Sequence, residues 1–196
     1  MAILKIARMG HPILGMKSMP VKDPRAPEIA YFVEDMIETL ADAGGVGLAA
    51  PQVHVPIRLV IFKVPAARAA AERYRAAGLD DEAEEIPLTV LINPVIDVIG
   101  NESSAAFEGC LSIPDMMGEV HRPVHIRYRG LDLNGEMIER EAMDFHARVV
   151  QHECDHLDGV LYPQRISDMR KFGYNDEMKK SIIAEDDKEP VEEETP

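Results

Sequence analysis

The chain has 196 residues, a net charge of −14 and 46% hydrophobic residues, enough apolar content for one domain with its own core. No apolar run reaches membrane-span length, the N-terminal stretch is broken by Lys5 and Arg8, and Cys110 and Cys154 are the two cysteines. A membrane span, a secretory signal and a disulfide framework are therefore not expected, a reducing, cytoplasmic location is, and the lack of a basic stripe argues against direct nucleic-acid binding.

The first periodic segment is Ile29, Phe32, Val33, Met36, Ile37 and Leu40, a helical stripe over residues 28–43 that Gly44 and Gly45 end. Arg58–Val64 is β-branched and apolar and reads as a strand. Residues 65–87, rich in Ala and Arg and then acidic, read as a surface insertion before a second strand, Leu88–Ile99, in which Pro94 marks a bend or an edge. Glu108–Ser112 reads as a short turn-like segment. Asn134-Gly135 is a hairpin signal between Val124–Leu131 and Glu136–Glu141. Phe145–Leu157 contains no Gly or Pro, and Phe145, Val149, His152 and His156 recur at steps of four, three and four, one face of a helix that Gly159 stops. Arg170–Ala184 has some helical character and a basic pair, Lys179-Lys180. The tail Glu185–Pro196, with seven acids and one lysine, reads as disordered. This order predicts an α+β fold, mostly antiparallel sheets packed around a central helix, with a catalytic domain over 1–170 and an extension over 171–196.

The predicted central helix carries the chemistry. His152-Glu153-Cys154-Asp155-His156 is an H-E-x-x-H, which places two imidazoles one turn apart to grip a metal ion and sets Glu153 beside it to handle the protons of a water. A catalytic site of this kind takes three protein ligands and keeps one position open. One protease pattern supplies a third His three residues after a glycine, but Tyr162 stands there behind Gly159. Glu177 is a downstream carboxylate that would complete an H-E-x-x-H metalloprotease. Cys110, in Glu108-Gly109-Cys110-Leu111-Ser112, is the better candidate. Cys154 lies two residues from His152, about 200° round the helix from it, and reads as core. A thiol nucleophile at Cys110, without metal, is a further reading.

Three segments together, Gly45-Val46-Gly47-Leu48-Ala49-Ala50-Pro51-Gln52, Glu108-Gly109-Cys110-Leu111-Ser112 and Gln151-His152-Glu153-Cys154-Asp155-His156-Leu157-Asp158-Gly159, resemble in order the three signature motifs of peptide deformylases. The resemblance implies a metal-dependent hydrolase that removes the N-formyl group from the formylmethionine of new polypeptides and releases formate. It implies Cys110, His152 and His156 as metal ligands, ferrous iron as the native ion and zinc, nickel or cobalt as substitutes. Glu153 would be the general base, with the Gln52 amide and the Leu111 N–H as oxyanion donors. Val46, Gly47, Gly109 and Leu111 would contact the peptide, with Phe145 and Val149 either lining a methionine pocket or serving the core. Some relatives dock at the ribosome through a basic C-terminal helix, a partner the acidic tail here argues against.

Overall fold

Alternation along one strand organises the molecule. In β2 (Leu59–Val64), Leu59 and Ile61 pack on one side and Val60 and Phe62 on the other, all four fully buried. A strand buried on both faces needs a helix on each. The structure, a computed structural model, describes residues 2–64 and 85–186. The proposed insertion up to residue 84 and the tail beyond residue 186 lie outside them.

Within the described residues, β2 belongs to a five-stranded sheet. Its other strands are β1 (Gly47–Ala49), β3 (Ile86–Val98), β6 (His125–Leu131) and β7 (Met137–Met143), in the order β1-β2-β3-β6-β7. Its pairings are antiparallel throughout. Helix α1 (Pro27–Ala43) covers one face, laying Val33, Met36 and Leu40 on Leu59, Ile61 and Ile92. It begins with proline at its first position and ends at Gly44, whose φ of 64° suits glycine. Helix α2 (Asp144–Leu157) covers the other face, with Phe145, Val149, Val150 and Leu157 among Val60, Phe62 and Ile126.

A second antiparallel sheet, β4 (Ser103–Cys110), β5 (Ile113–Pro123) and β8 (Phe172–Tyr174), runs in the order β4-β5-β8 and meets α2 from a different side. The α+β arrangement around an H-E-x-x-H helix is thus present. The β4–β5 hairpin was not expected: Glu108–Cys110 close β4, and only Leu111 and Ser112 form the turn to β5. Its sequence hides it. Ser103-Ser-Ala-Ala has little β-propensity, and two of the residues buried between the sheet and α2, Glu108 and Arg122, are charged, which inverts the usual alternation. Pro94 lies in an interior strand rather than at an edge. It falls where the β3–β6 register shifts between Ile92 and Val95, beside Asn93 at a φ of 53°, so its missing N–H costs no ladder bond. The Asn134-Gly135 hairpin is as expected, with Asp132 Oδ1 accepting from the N–H groups of Asn134 and Glu136 at 2.8 Å each. Past residue 170 the chain enters β8, which pairs with β5, and then α3 (Asn175–Asp186). No helix among the described residues is long and apolar enough to cross a membrane.

Candidate active site

Phe145 and every residue from Ala147 to Leu157 are buried, so α2 has almost no solvent face. Yet it carries Arg148, Gln151, His152, Glu153, Asp155 and His156, whose polar atoms need partners inside the protein. His152 and His156 lie one turn apart with ring centroids 5.0 Å apart. Cys110, at the end of β4, comes to them from the second sheet, its Sγ 3.3 Å from His156 Nε2. The ligand atoms of Cys110, His152 and His156 all lie within 4.8 Å of one another. A thiol and two imidazoles so converged fit a borderline transition metal.

Glu153 lies on the same helix, with burial pushing its carboxyl up to about 7. Its Oε2 is buried and has no hydrogen-bond partner among the described residues. The alternative ligands are elsewhere. Glu177 is exposed on α3 and pairs with Lys180 at 2.8 Å. Cys154 sits in the apolar core, its thiol pushed above its ordinary range by burial. Tyr162, in place of the protease histidine, is buried with its ring stacked on His152 at a centroid distance of 6.1 Å.

Around His152 is an ion network that sequence reasoning missed. Glu108 Oε2 lies 2.8 Å from His152 Nδ1, which leaves Nε2 for the ligand cluster. Arg122 grips Glu108 bidentately at 2.6 and 2.9 Å, and Arg148 adds a contact at 2.9 Å. Burial works against the Glu108 charge, but the hydrogen bonds from Arg122 and His152 outweigh it and hold the carboxyl well below the usual range. Arg122 also reaches Asp155 at 2.8 Å, and Arg165 closes on Asp155 with two contacts of 2.5 Å. A signal was available: Arg148, His152 and Asp155 recur at steps of four and three, a polar stripe along a helix that also carries Phe145, Val149, Val150 and Leu157.

The remaining expected residues come from two turns. Gln52 sits in a 3-10 turn, Ala50–Val53. Its Oε1 accepts the Ala49 N–H at 2.8 Å, which fixes the amide so that Nε2 donates to Ser112 Oγ at 3.1 Å and faces Cys110 Sγ at 3.4 Å. Leu111 is in the β4–β5 turn, and a Cβ on Gly45 would meet its Cδ1 at 2.9 Å. A Cβ on Gly47 would meet Glu153 Oε1 at 2.3 Å, so only glycine lets β1 lie against that carboxylate. Val46 packs on the α2 core, and its carbonyl accepts the Lys63 N–H at 2.7 Å. β1 and β4, the latter carrying Gly109, are edge strands of their sheets. Phe145 and Val149 are core residues among Val60 and Phe62.

A family model described as polypeptide deformylase matches residues 3–172. The chain belongs to the polypeptide deformylase family. It is 49% identical over 171 residues to peptide deformylase 1 of Bordetella pertussis, covering 87% of this chain and 92% of that one. To peptide deformylase 1 of Nitrosomonas europaea it is 46% identical over 174 residues, 89% and 93% of the two chains. Among solved structures, a Met-Ala-Ser-bound class I type b peptide deformylase from Acinetobacter baumannii superposes with a TM-score of 0.74 at 35% identity, over 84% of this chain and 99% of that one. Peptide deformylase from Thermotoga maritima does so with a TM-score of 0.72 at 33% identity, over 86% and 100%. The metalloprotease reading falls with these relationships and with the position of Glu177 in this deformylase.

Proposed function

We propose that this deformylase hydrolyses the N-formyl group of N-formylmethionyl nascent peptides in the cytoplasm, with one divalent ion held by Cys110, His152 and His156. The observation that carries the reading is the convergence of those three donors beside a buried carboxylate oxygen of Glu153 that has no hydrogen-bond partner among the described residues. Fe2+ is the proposed native ion, and Zn2+, Ni2+ or Co2+ would suit the same donors. Bound there, the ion supplies Lewis acidity toward a water and the formyl oxygen. Glu153 takes the proton of the attacking water and hands it to the leaving amine, a task suited to a carboxyl raised to about 7. The Gln52 amide and the Leu111 N–H donate to the oxyanion, each worth about 3 kcal/mol of transition-state stabilisation. Val46, Gly47, Gly109 and Leu111 pair with the main chain of the peptide as an added strand, a mode supported by the two edge strands on which they lie or which they adjoin. The Met-Ala-Ser peptide bound by the Acinetobacter baumannii relative supports a methionine-first ligand. The catalytic unit spans residues 1–170, with 171–196 as an extension.

The test is formate release from formyl-Met-Ala-Ser under anaerobic conditions, with metal analysis on the same sample. Glu153→Ala should keep its metal and lose roughly 10²–10⁴-fold in kcat. Cys110→Ala should lose the metal. Full activity in the first variant, or full metal content in the second, would refute the assignment.

A further inference from the structure

The two proposed oxyanion donors belong to different sheets. Gln52 follows β1 of the five-stranded sheet, and Leu111 lies in the turn between β4 and β5 of the three-stranded one. Something must hold those turns in register, since a donor displaced by 1 Å costs about 10²-fold in rate. One side-chain link joins them directly, Gln52 Nε2 to Ser112 Oγ at 3.1 Å. The segment ahead of α1 supplies two main-chain links. The Ala7 N–H donates to the Gln52 carbonyl at 2.7 Å, and the Met9 N–H donates to the Ser112 carbonyl at 2.8 Å. One short segment, running into the turn that the His11 N–H closes on the Arg8 carbonyl at 3.0 Å, thus bridges both turns. Its anchors are firm. Ala7 is 3% exposed in a core cluster with Ile13, Leu14 and Ile113, and Leu4 N–H donates to Thr39 Oγ1 of α1 at 2.8 Å. Further along, Ser18 N–H donates to the Leu157 carbonyl at the end of α2, at 2.8 Å.

From this geometry we infer that the segment Ala7–Met9 is a positioning clasp, whose two main-chain N–H groups set the distance between the Gln52 amide and the Leu111 N–H. The inference rests on the proposed roles of Gln52 and Leu111. Its residues touch neither the ligand cluster nor Glu153 through any of these bonds. The clasp therefore acts on the rate of the chemical step and not on metal retention.

Met9→Pro and Ala7→Pro each delete one N–H, while Met9→Ala and Ala7→Gly keep it. With formyl-Met-Ala-Ser and the metal-loaded enzyme, the proline variants should lose 10- to 100-fold in kcat, with KM and bound metal within about two-fold of the parent, and the N–H-retaining variants should match the parent. In a Gln52→Ala background, Ala7→Pro should cost less than three-fold, because the donor it positions is already gone. Parent-like kcat in both proline variants, or a kcat loss that tracks metal loss, would overturn the clasp. Should Ala7→Pro fail to fold, Met9→Pro at its half-exposed position and amide exchange in the unaltered protein decide the matter. The Ala7 and Met9 amides should be protected as strongly as those of β2, and exchange at open-loop rates would refute the inference. If instead Gln52→Ala alone is fully active, the proposed oxyanion role fails, whatever the proline variants do.

Discussion

Gly47 and Glu153 show how tightly the chemistry constrains single residues. The Glu153 carboxylate occupies the volume that any side chain at 47 would need, with Oε1, Cδ and Cγ all within 2.7 Å of a Cβ built there. Gly47→Ala should therefore push the carboxylate aside, costing roughly 1–3 kcal/mol of stability and about 10- to 100-fold in kcat. Urea melts and formate release measure the two, and a fully active Gly47→Ala would mean that Glu153 moves without consequence. His146 offers a pH test away from the ligands. Burial, aided by the Arg140 charge, lowers its pKa to about 4, and its Nε2 lies 3.3 Å from the Tyr128 hydroxyl. Between about 6.5 and 4 the unfolded chain takes up a proton at this site that the folded chain refuses. Stability from neutral His146 is thus complete above pH 6.5 and is lost as the pH falls toward 4. At pH 5 the loss should be roughly 1–2 kcal/mol relative to pH 7. His146→Gln should narrow that difference in denaturant midpoint by the same amount, and an unchanged difference would exclude His146 as its source.

At the scale of elements, α2 is held by its ends and by the charges on its polar stripe. Gly159, just past its C-terminus, has a φ of 74°, and a Cβ there would meet Gly15 C and O at 2.7 Å. Gly159→Ala combines a left-handed backbone with a clash against main chain that cannot rotate away, so a loss of roughly 2–4 kcal/mol is expected from denaturant unfolding. Arg148 joins α2 to both strands of the β4–β5 hairpin. It donates to Glu108 and to the Val120 carbonyl at 2.9 Å each, and to the Ser104 carbonyl at 2.8 Å. Arg148→Met keeps the bulk but removes one donor each from Glu108 and from the Val120 and Ser104 carbonyls, and should cost about 3–5 kcal/mol. A loss below about 1 kcal/mol would mean that Arg122 alone balances Glu108. The helices and the Asn134-Gly135 hairpin were legible in the sequence because periodicity and turn residues are local signals. The β4–β5 hairpin was not, because its inward charges gain their meaning only opposite a helix that is distant in sequence.

For the molecule as a whole, the proposed metal would tie the three-stranded sheet, through Cys110, to the helix that fills one face of the five-stranded sheet, through His152 and His156. Binding to the folded state alone should then stabilise the whole molecule. At a metal concentration 1,000 times Kd the gain is about 4 kcal/mol, or roughly 8–16 °C in melting temperature for a chain of this size. Chelation should lower the melting temperature by that order and Zn2+ should restore it. A melting temperature indifferent to both would place the ion elsewhere. The sequence alone determined that His152, Glu153 and His156 share a helical turn, because a spacing of four on a helix is local geometry. It also excluded Cys154 for the same reason, and its three ordered motifs pointed to the family. Only the tertiary structure decided that Glu108, Arg122, Arg148 and Asp155 form one buried network behind His152, that Phe145 and Val149 belong to the core, and that residues 7 and 9 stitch two sheets together. Those facts depend on which distant segments share the space around α2, and burial there forces each charge and each N–H to find a partner that spacing along the chain does not name.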